Sequence, residues 1–159
     1  MSTQVNYIGL DSEHAAQLAR GLDDLLANLQ VFYQNARGFH WNIRGEKFFE
    51  LHVKFEELYT DLLVKIDEVA ERILTLGHTP SHSFSQYVSL SGIVEQTSVS
   101  DGRAAVASIL EAFKILIRQE RQLLDLSANA GDEGTNALMS DYIREQEKHV
   151  WMYAAYLNE

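Results

Sequence analysis

Apolar residues recur at helical spacing in four long stretches of the chain. Over residues 11–39, Leu18, Leu22, Leu25, Leu29 and Phe32 step by four and three, one stripe on one helix face. Asp11 or Ser12 can cap this helix, and Glu13 adds negative charge to its first turn. Over residues 48–76 the stripe is unbroken: Leu51, Phe55, Leu58, Leu62, Ile66, Val69, Ile73 and Leu76. Gly77 then suits the first position past a helix, and Pro80 follows as a stop. A third helix is predicted over 101–128, with Val106, Ile109, Phe113, Leu116, Leu123 and Leu124 as core candidates. A turn over 130–134 leads to a fourth, over 135–157, with Leu138, Tyr142, Met152 and Tyr156 on one face. Residues 77–99 are a connector rich in serine, with a short helix predicted over 84–90.

Two helices, a long crossover and two more helices predict an all-α four-helix bundle of ferritin-like connectivity. Its short extra helix lies in the connector between helices two and three. The 159 residues fit a single domain, 1–159. One proline and nine glycines are too little turn chemistry for an all-β fold. The absence of cysteine excludes disulfides, thiolate metal sites and thiol catalysis. No apolar run approaches the ~20 residues that span a bilayer, and residues 1–10 lack the basic and apolar regions of a secretory signal, so a cytoplasmic location is expected. A net charge of −10 repels nucleic-acid phosphates and attracts cations.

The second helix carries a second row beside its apolar stripe: His52, Glu56, Tyr59, Leu63, Asp67, Glu71 and Leu74, at steps of three and four. Interleaving with apolar residues predicts a half-buried row, and half-buried carboxylates need partners. His52/Glu56 and Asp67/Glu71 are i,i+4 pairs of imidazole and carboxylate donors suited to iron, manganese or zinc. His52 and Asp67 are fifteen residues apart, roughly 22 Å along one helix. They can share an ion only between two chains, and antiparallel pairing about a two-fold axis would make two equivalent sites. The usual intrachain di-iron site needs Glu-x-x-His pairs. None of the six histidines has Glu three positions earlier; His149, for example, has Gln146.

The stretch His40-Trp41-Asn42-Ile43-Arg44-Gly45, then Phe48, Leu51-His52, Phe55-Glu56, Leu58-Tyr59 and Asp67-Glu68-Val69-Ala70-Glu71-Arg72-Ile73, resembles the Dps family of miniferritins. Trp151 and Met152 fit that pattern too, so the resemblance spans nearly the whole chain. It implies a hollow homododecamer in the bacterial cytoplasm that oxidises ferrous iron, preferably with hydrogen peroxide, at inter-subunit sites. The ferric mineral is stored inside, which protects against oxidative damage. By motif position it implies His40 and His52 as ligands from one subunit, and Asp67 and Glu71 as ligands from its partner. Glu56 falls where the family usually has Asp, either as a direct ligand or through water. Trp41 falls beside the site, either taking up oxidising equivalents or anchoring the interface. Iron is the implied metal, with no haem.

The resemblance also implies acidic pores near the start of the last helix. Asp132 and Asp141 fall at matching positions, Ala137 replaces a frequent further Asp, and Glu133 and Asp125 are substitutes; the other reading is a polar turn and a helix-capping carboxylate. Family members that bind DNA do so through basic tails, and residues 1–7 and 156–159 contain no Lys or Arg. No or weak DNA binding and no membrane association are therefore expected. His78 and His82 flank Pro80, which predicts a loop and not a metal-binding helical turn. Two other readings stand beside this one: a non-catalytic helical oligomer, and a conventional ferritin or bacterioferritin. The donor row argues against the first, and the missing Glu-x-x-His pairs against the second.

Overall fold

The computed structural model describes residues 5–158. It contains α1 (Ser12–Asn42), α2 (Phe48–Thr75), α3 (Phe84–Leu90), α4 (Gly102–Ala130) and α5 (Glu133–Leu157). α1 packs on α2 and α4 on α5, and α1 joins the two pairs through α4. The all-α ferritin-like bundle predicted from the stripes is the observed fold, and the short helix in the crossover lies over the predicted residues.

Helix ends follow local chemistry. The side chains of Asp11, Ser83, Asp101 and Asp132 each accept backbone N–H bonds in the first turn of α1, α3, α4 and α5. α4 closes on Gly131, whose φ of +70° suits a residue without Cβ, and Asp132 N–H reaches back to Ser127 O at 2.9 Å. α1 runs to Asn42, three residues past its expected end. There the Asn42 amide donates to Gly38 O (2.9 Å) and Ile43 turns extended.

The stripes of α1 and α2 are buried throughout, and Phe32 meets Phe113 of α4 edge-on at 5.2 Å. α5 differs from expectation. Tyr142 is buried, but Leu138, Met152 and Tyr156 are only partly so; its inner face is Met139, Tyr142, Ile143, Gln146, Tyr153 and Leu157. Thr135 and Gln146 occupy inward positions, and an apolar count skips them. Leu124 on α4 is likewise only partly buried.

Three polar residues of α1 tie down the crossover. Asp23 accepts from Ser81 N–H (2.7 Å) and its hydroxyl. The buried Asn28 oxygen accepts from the backbone N–H groups of Gly92 (2.7 Å) and Ile93 (3.2 Å). Asn35 donates to Val94 O and accepts from Gln96 N–H, both at 2.9 Å. Each satisfies loop backbone that would otherwise be orphaned, so the crossover is held along its length.

Candidate metal centre at the end of α1 and on α2

The turn after Asn42 brings α2 back beside the end of α1. Arg44 N–H donates to Ser100 O at 3.0 Å, and Gly45, at φ +112°, lets its carbonyl meet Phe48 N–H at 3.1 Å. His52, in the second turn of α2, thereby faces His40, in the last turn of α1. The two imidazoles stack at 3.8 Å between centroids and 13° between planes.

Their hydrogen bonds are reciprocal. His40 Nδ1 lies 2.6 Å from His52 O, and His52 Nδ1 lies 2.8 Å from His40 O. A carbonyl oxygen only accepts, so both Nδ1 atoms carry the proton and donate. Each neutral ring then keeps its lone pair on Nε2, the tautomer a metal ligand needs, with ring orientation set by backbone. Phe48 stacks on His52 at 4.9 Å, and Tyr59 meets His40 edge-on at 5.3 Å. These contacts restrict both rings further.

Asp67 and Glu71 stand farther along α2. Glu56, Asp67 and Glu71 are exposed, as are Leu63 and Leu74, and only His52 and Tyr59 of the row are partly covered. The expectation of a half-buried row is corrected for the single chain. Every member but Glu71 sits one residue, about 100° of helix rotation, beyond a stripe residue that already fills the core-facing arc, and Glu71 sits two beyond Val69. Val53, Val64, Trp41 and Phe49 are exposed around it. Among the described residues no three His, Asp or Glu side chains gather to hold an ion within one chain. The arrangement is a pair of imidazole donors from α1 and α2, with Glu56 one helical turn from His52 and with Asp67 and Glu71 farther along α2.

A scan over protein families matches residues 19–159 to the Ferritin-like domain. A protein from Porphyromonas gingivalis named DNA protection during starvation protein is 44% identical over 93% of this chain and 93% of its own length. The crystal structure of a Dps protein from Vibrio cholerae O1, described as a member of a broad superfamily of ferritin-like diiron-carboxylate proteins, superposes with a TM-score of 0.96. It is 57% identical and covers 99% of both chains. This chain belongs to the Dps family. A second solved structure, antigen TpF1 from Treponema pallidum, matches this Dps chain with a TM-score of 0.91 and 31% identity over the full length of both.

Other residues singled out in this Dps sequence sort by surroundings. Trp41 is 56% exposed, with the Arg37 guanidinium 4.8 Å above its ring. Asp132 is buried within the chain, caps α5 through Thr135 N–H (3.0 Å) and pairs with Arg72 at 2.7 Å. Asp141 is exposed and bonded to Arg144 at 3.0 Å; Asp125, Glu133 and Ala137 are exposed. His82 donates from Nδ1 to Pro80 O in a loop (3.0 Å), as Pro80 predicts, and His78 is exposed.

Sequence reading misses the buried charges. Lys65 bonds both Asp61 oxygens (2.9 Å) and Glu145 (2.7 Å), and Glu120 accepts from the Gln146 amide at 2.9 Å. Burial pushes the Glu120 carboxyl up to about 8, against the pull of Gln146 and Lys65. The native state therefore keeps a proton that the unfolded chain loses near 4.5. Between those pH values this group makes stability fall as pH rises. Glu120→Gln removes that loss, so the variant should gain on wild type progressively from pH 5 to pH 8, read as urea midpoints at both. An equal difference at the two pH values would contradict a protonated Glu120.

Proposed function

We propose that this Dps chain assembles into a cytoplasmic dodecameric shell. At sites shared between two-fold-related subunits, the shell oxidises ferrous iron, preferably with hydrogen peroxide, and keeps the ferric product inside. Family membership supports the broader statement, an iron-storage and ferroxidase-type protein. The observation that carries the finer one is the reciprocal His40–His52 pair, two lone-pair nitrogens held ready, while among the described residues no three donors gather within one chain to hold an ion. Asp67 and Glu71 of a second copy complete the donor set, and Glu56 adds a further carboxylate, directly or through water.

Iron here is the substrate. Imidazole donors hold the ferrous ion moderately, and hard carboxylate oxygens favour the ferric product. The backbone bonds at both Nδ1 atoms keep the rings from rotating as the metal's charge rises. Trp41, exposed beside His40, either takes up oxidising equivalents or anchors the partner subunit. A haem group has no part in this reading.

Ferrous titration under anaerobic conditions, followed by peroxide, tests the reaction. Consumption of about two ferrous ions per peroxide is expected, since peroxide is a two-electron oxidant and each iron gives up one electron. Release of hydroxyl radical to a spin trap at a ratio near one would overturn paired-iron chemistry. DNA is not a partner in this proposal. Twelve copies at −10 each carry about −120, which opposes phosphate binding. Plasmid should migrate unretarded in a gel shift at neutral pH without divalent ions; tight retention would refute this.

A further inference from the structure

Diiron-carboxylate bundles build their centre among four helices, from two Glu and two Glu-x-x-His pairs. This bundle has polar groups in its interior, but they are differently used. On α5 the pattern reads Gln146-x-x-His149, and the Gln146 amide donates to Glu120 of α4. Glu120 is fully buried, and among the described residues its second oxygen, the Gln146 oxygen and His149 Nδ1 have no hydrogen-bond partner. On the α2 side stands Lys65, its side chain only 3% exposed and its ammonium 5.0 Å from the centre of the Tyr142 ring.

The ammonium of Lys65 is held by three carboxylate oxygens, the donor type hard divalent cations take. Two Asp61 oxygens lie at 2.9 Å and one Glu145 oxygen at 2.7 Å, from two different helices. Hard divalent cations take such oxygens at about 2.0–2.6 Å, up to roughly 0.9 Å closer, which adjustment of the two part-exposed side chains supplies, and complete their shell with water. Asp61 and Glu145 are 39% and 46% exposed, so an ion arriving from solvent reaches them directly. Burial alone would push the ammonium towards neutrality, but the bonds to Asp61 and Glu145 outweigh it and hold it charged.

We propose that Lys65 is the resident cation of this bundle: its ammonium fills a two-carboxylate site formed by Asp61 and Glu145 and keeps divalent metal out of the helical interior. Metal is thereby left to other sites of the protein. The proposal does not rest on the inter-subunit reading above, because it concerns residues of one chain.

Manganese(II) is the probe, followed by the electron paramagnetic resonance signal of the free ion and by thermal melting. The background is the full chain with His52→Ala and Asp67→Ala, which silences the proposed inter-subunit site. Adding Lys65→Ala should create one further manganese site per chain, at least about tenfold tighter than any in the background. That site should disappear with Glu145→Gln and raise the melting temperature when filled. Lys65→Gln, which keeps volume without charge, should bind more weakly than Lys65→Ala. A helical, assembled Lys65→Ala variant with no extra manganese overturns the proposal, as does extra binding that survives Glu145→Gln. A Lys65→Ala chain that is unfolded without metal and refolds with manganese supports it. If manganese does not refold that chain, and Lys65→Gln takes up none, the proposal fails.

Discussion

His52→Ala and Asp67→Ala, prepared as separate proteins, should each lose iron oxidation, and mixing them should restore about a quarter of the wild-type sites. The fraction follows from two-fold geometry. In a dimer of the two variants, one site receives both substitutions, the lost imidazole from the first chain and the lost carboxylate from the second, and is doubly broken. The other joins the intact His52 of one chain to the intact Asp67 of its partner. Random reassembly makes about half the dimers mixed, and half of their sites are whole. Each pure variant should fall by no less than the ~10–100-fold that loss of a group merely orienting a metal ligand costs. Recovery requires subunit exchange, so the variants are dissociated and reassembled together, with single-variant reassemblies as controls. An intrachain site predicts no recovery at any mixing ratio. His40→Ala mixed with His52→Ala is the internal control. Those two residues come from one side of the site, but in separate chains each mixed dimer carries one defect per site, so it should recover nothing.

That geometry is legible in part without coordinates. The stripe from Leu51 to Leu76 and the row beside it need only helical periodicity, and the roughly 22 Å between His52 and Asp67 follows from rise per residue. The pairing of His40 with His52 is not readable from spacing. It depends on how the turn at residues 43–47 folds α2 back onto α1, and in the sequence only family likeness points to it. Exposure of the row is easily misjudged because apolar neighbours such as Leu63 and Leu74 suggest burial, whereas the single chain leaves them open. The polar interior does leave a trace. Glu120 falls on the spacing Val106, Ile109, Phe113, Leu116, Glu120, Leu123, and Lys65 lies three residues after Leu62 and four before Val69. An ionisable residue in register with a core stripe faces the core, where it is either paired, as Lys65 is, or gives up its charge, as Glu120 does. The partners Gln146 and Glu145 lie on another helix, beyond the reach of periodicity.

The second large effect is expected at the start of α5. Asp132 joins three interactions in one buried carboxylate: the α5 cap at Thr135 N–H, the Thr135 hydroxyl and the Arg72 ion pair. Asp132→Ala removes all three. Breaking a buried pair costs about 3–5 kcal/mol, and the low end applies because Arg72 remains 21% exposed and can hydrate. The lost cap adds about 1 kcal/mol. A total of about 4 kcal/mol should appear in urea unfolding at fixed protein concentration. Asp132→Asn keeps an oxygen for Thr135 N–H but loses the charge facing Arg72 and the oxygen that accepts from the Thr135 hydroxyl, so it should cost less than Asp132→Ala, by about the 1 kcal/mol of the cap. Position matters as well as energy. Arg72 follows Glu71 on α2, and Gly134 admits its guanidinium so closely that an added Cβ would lie 2.8 Å from two of its nitrogens. The ion pair thus braces the carboxylate end of α2 against the first turn of α5. Ferrous uptake by folded Asp132→Asn, normalised to assembled protein, should match wild type, because the carboxylate faces Arg72 and not solvent. A marked loss of uptake at unchanged stability would return Asp132 to a pore, and an unchanged urea midpoint for Asp132→Ala would refute the brace.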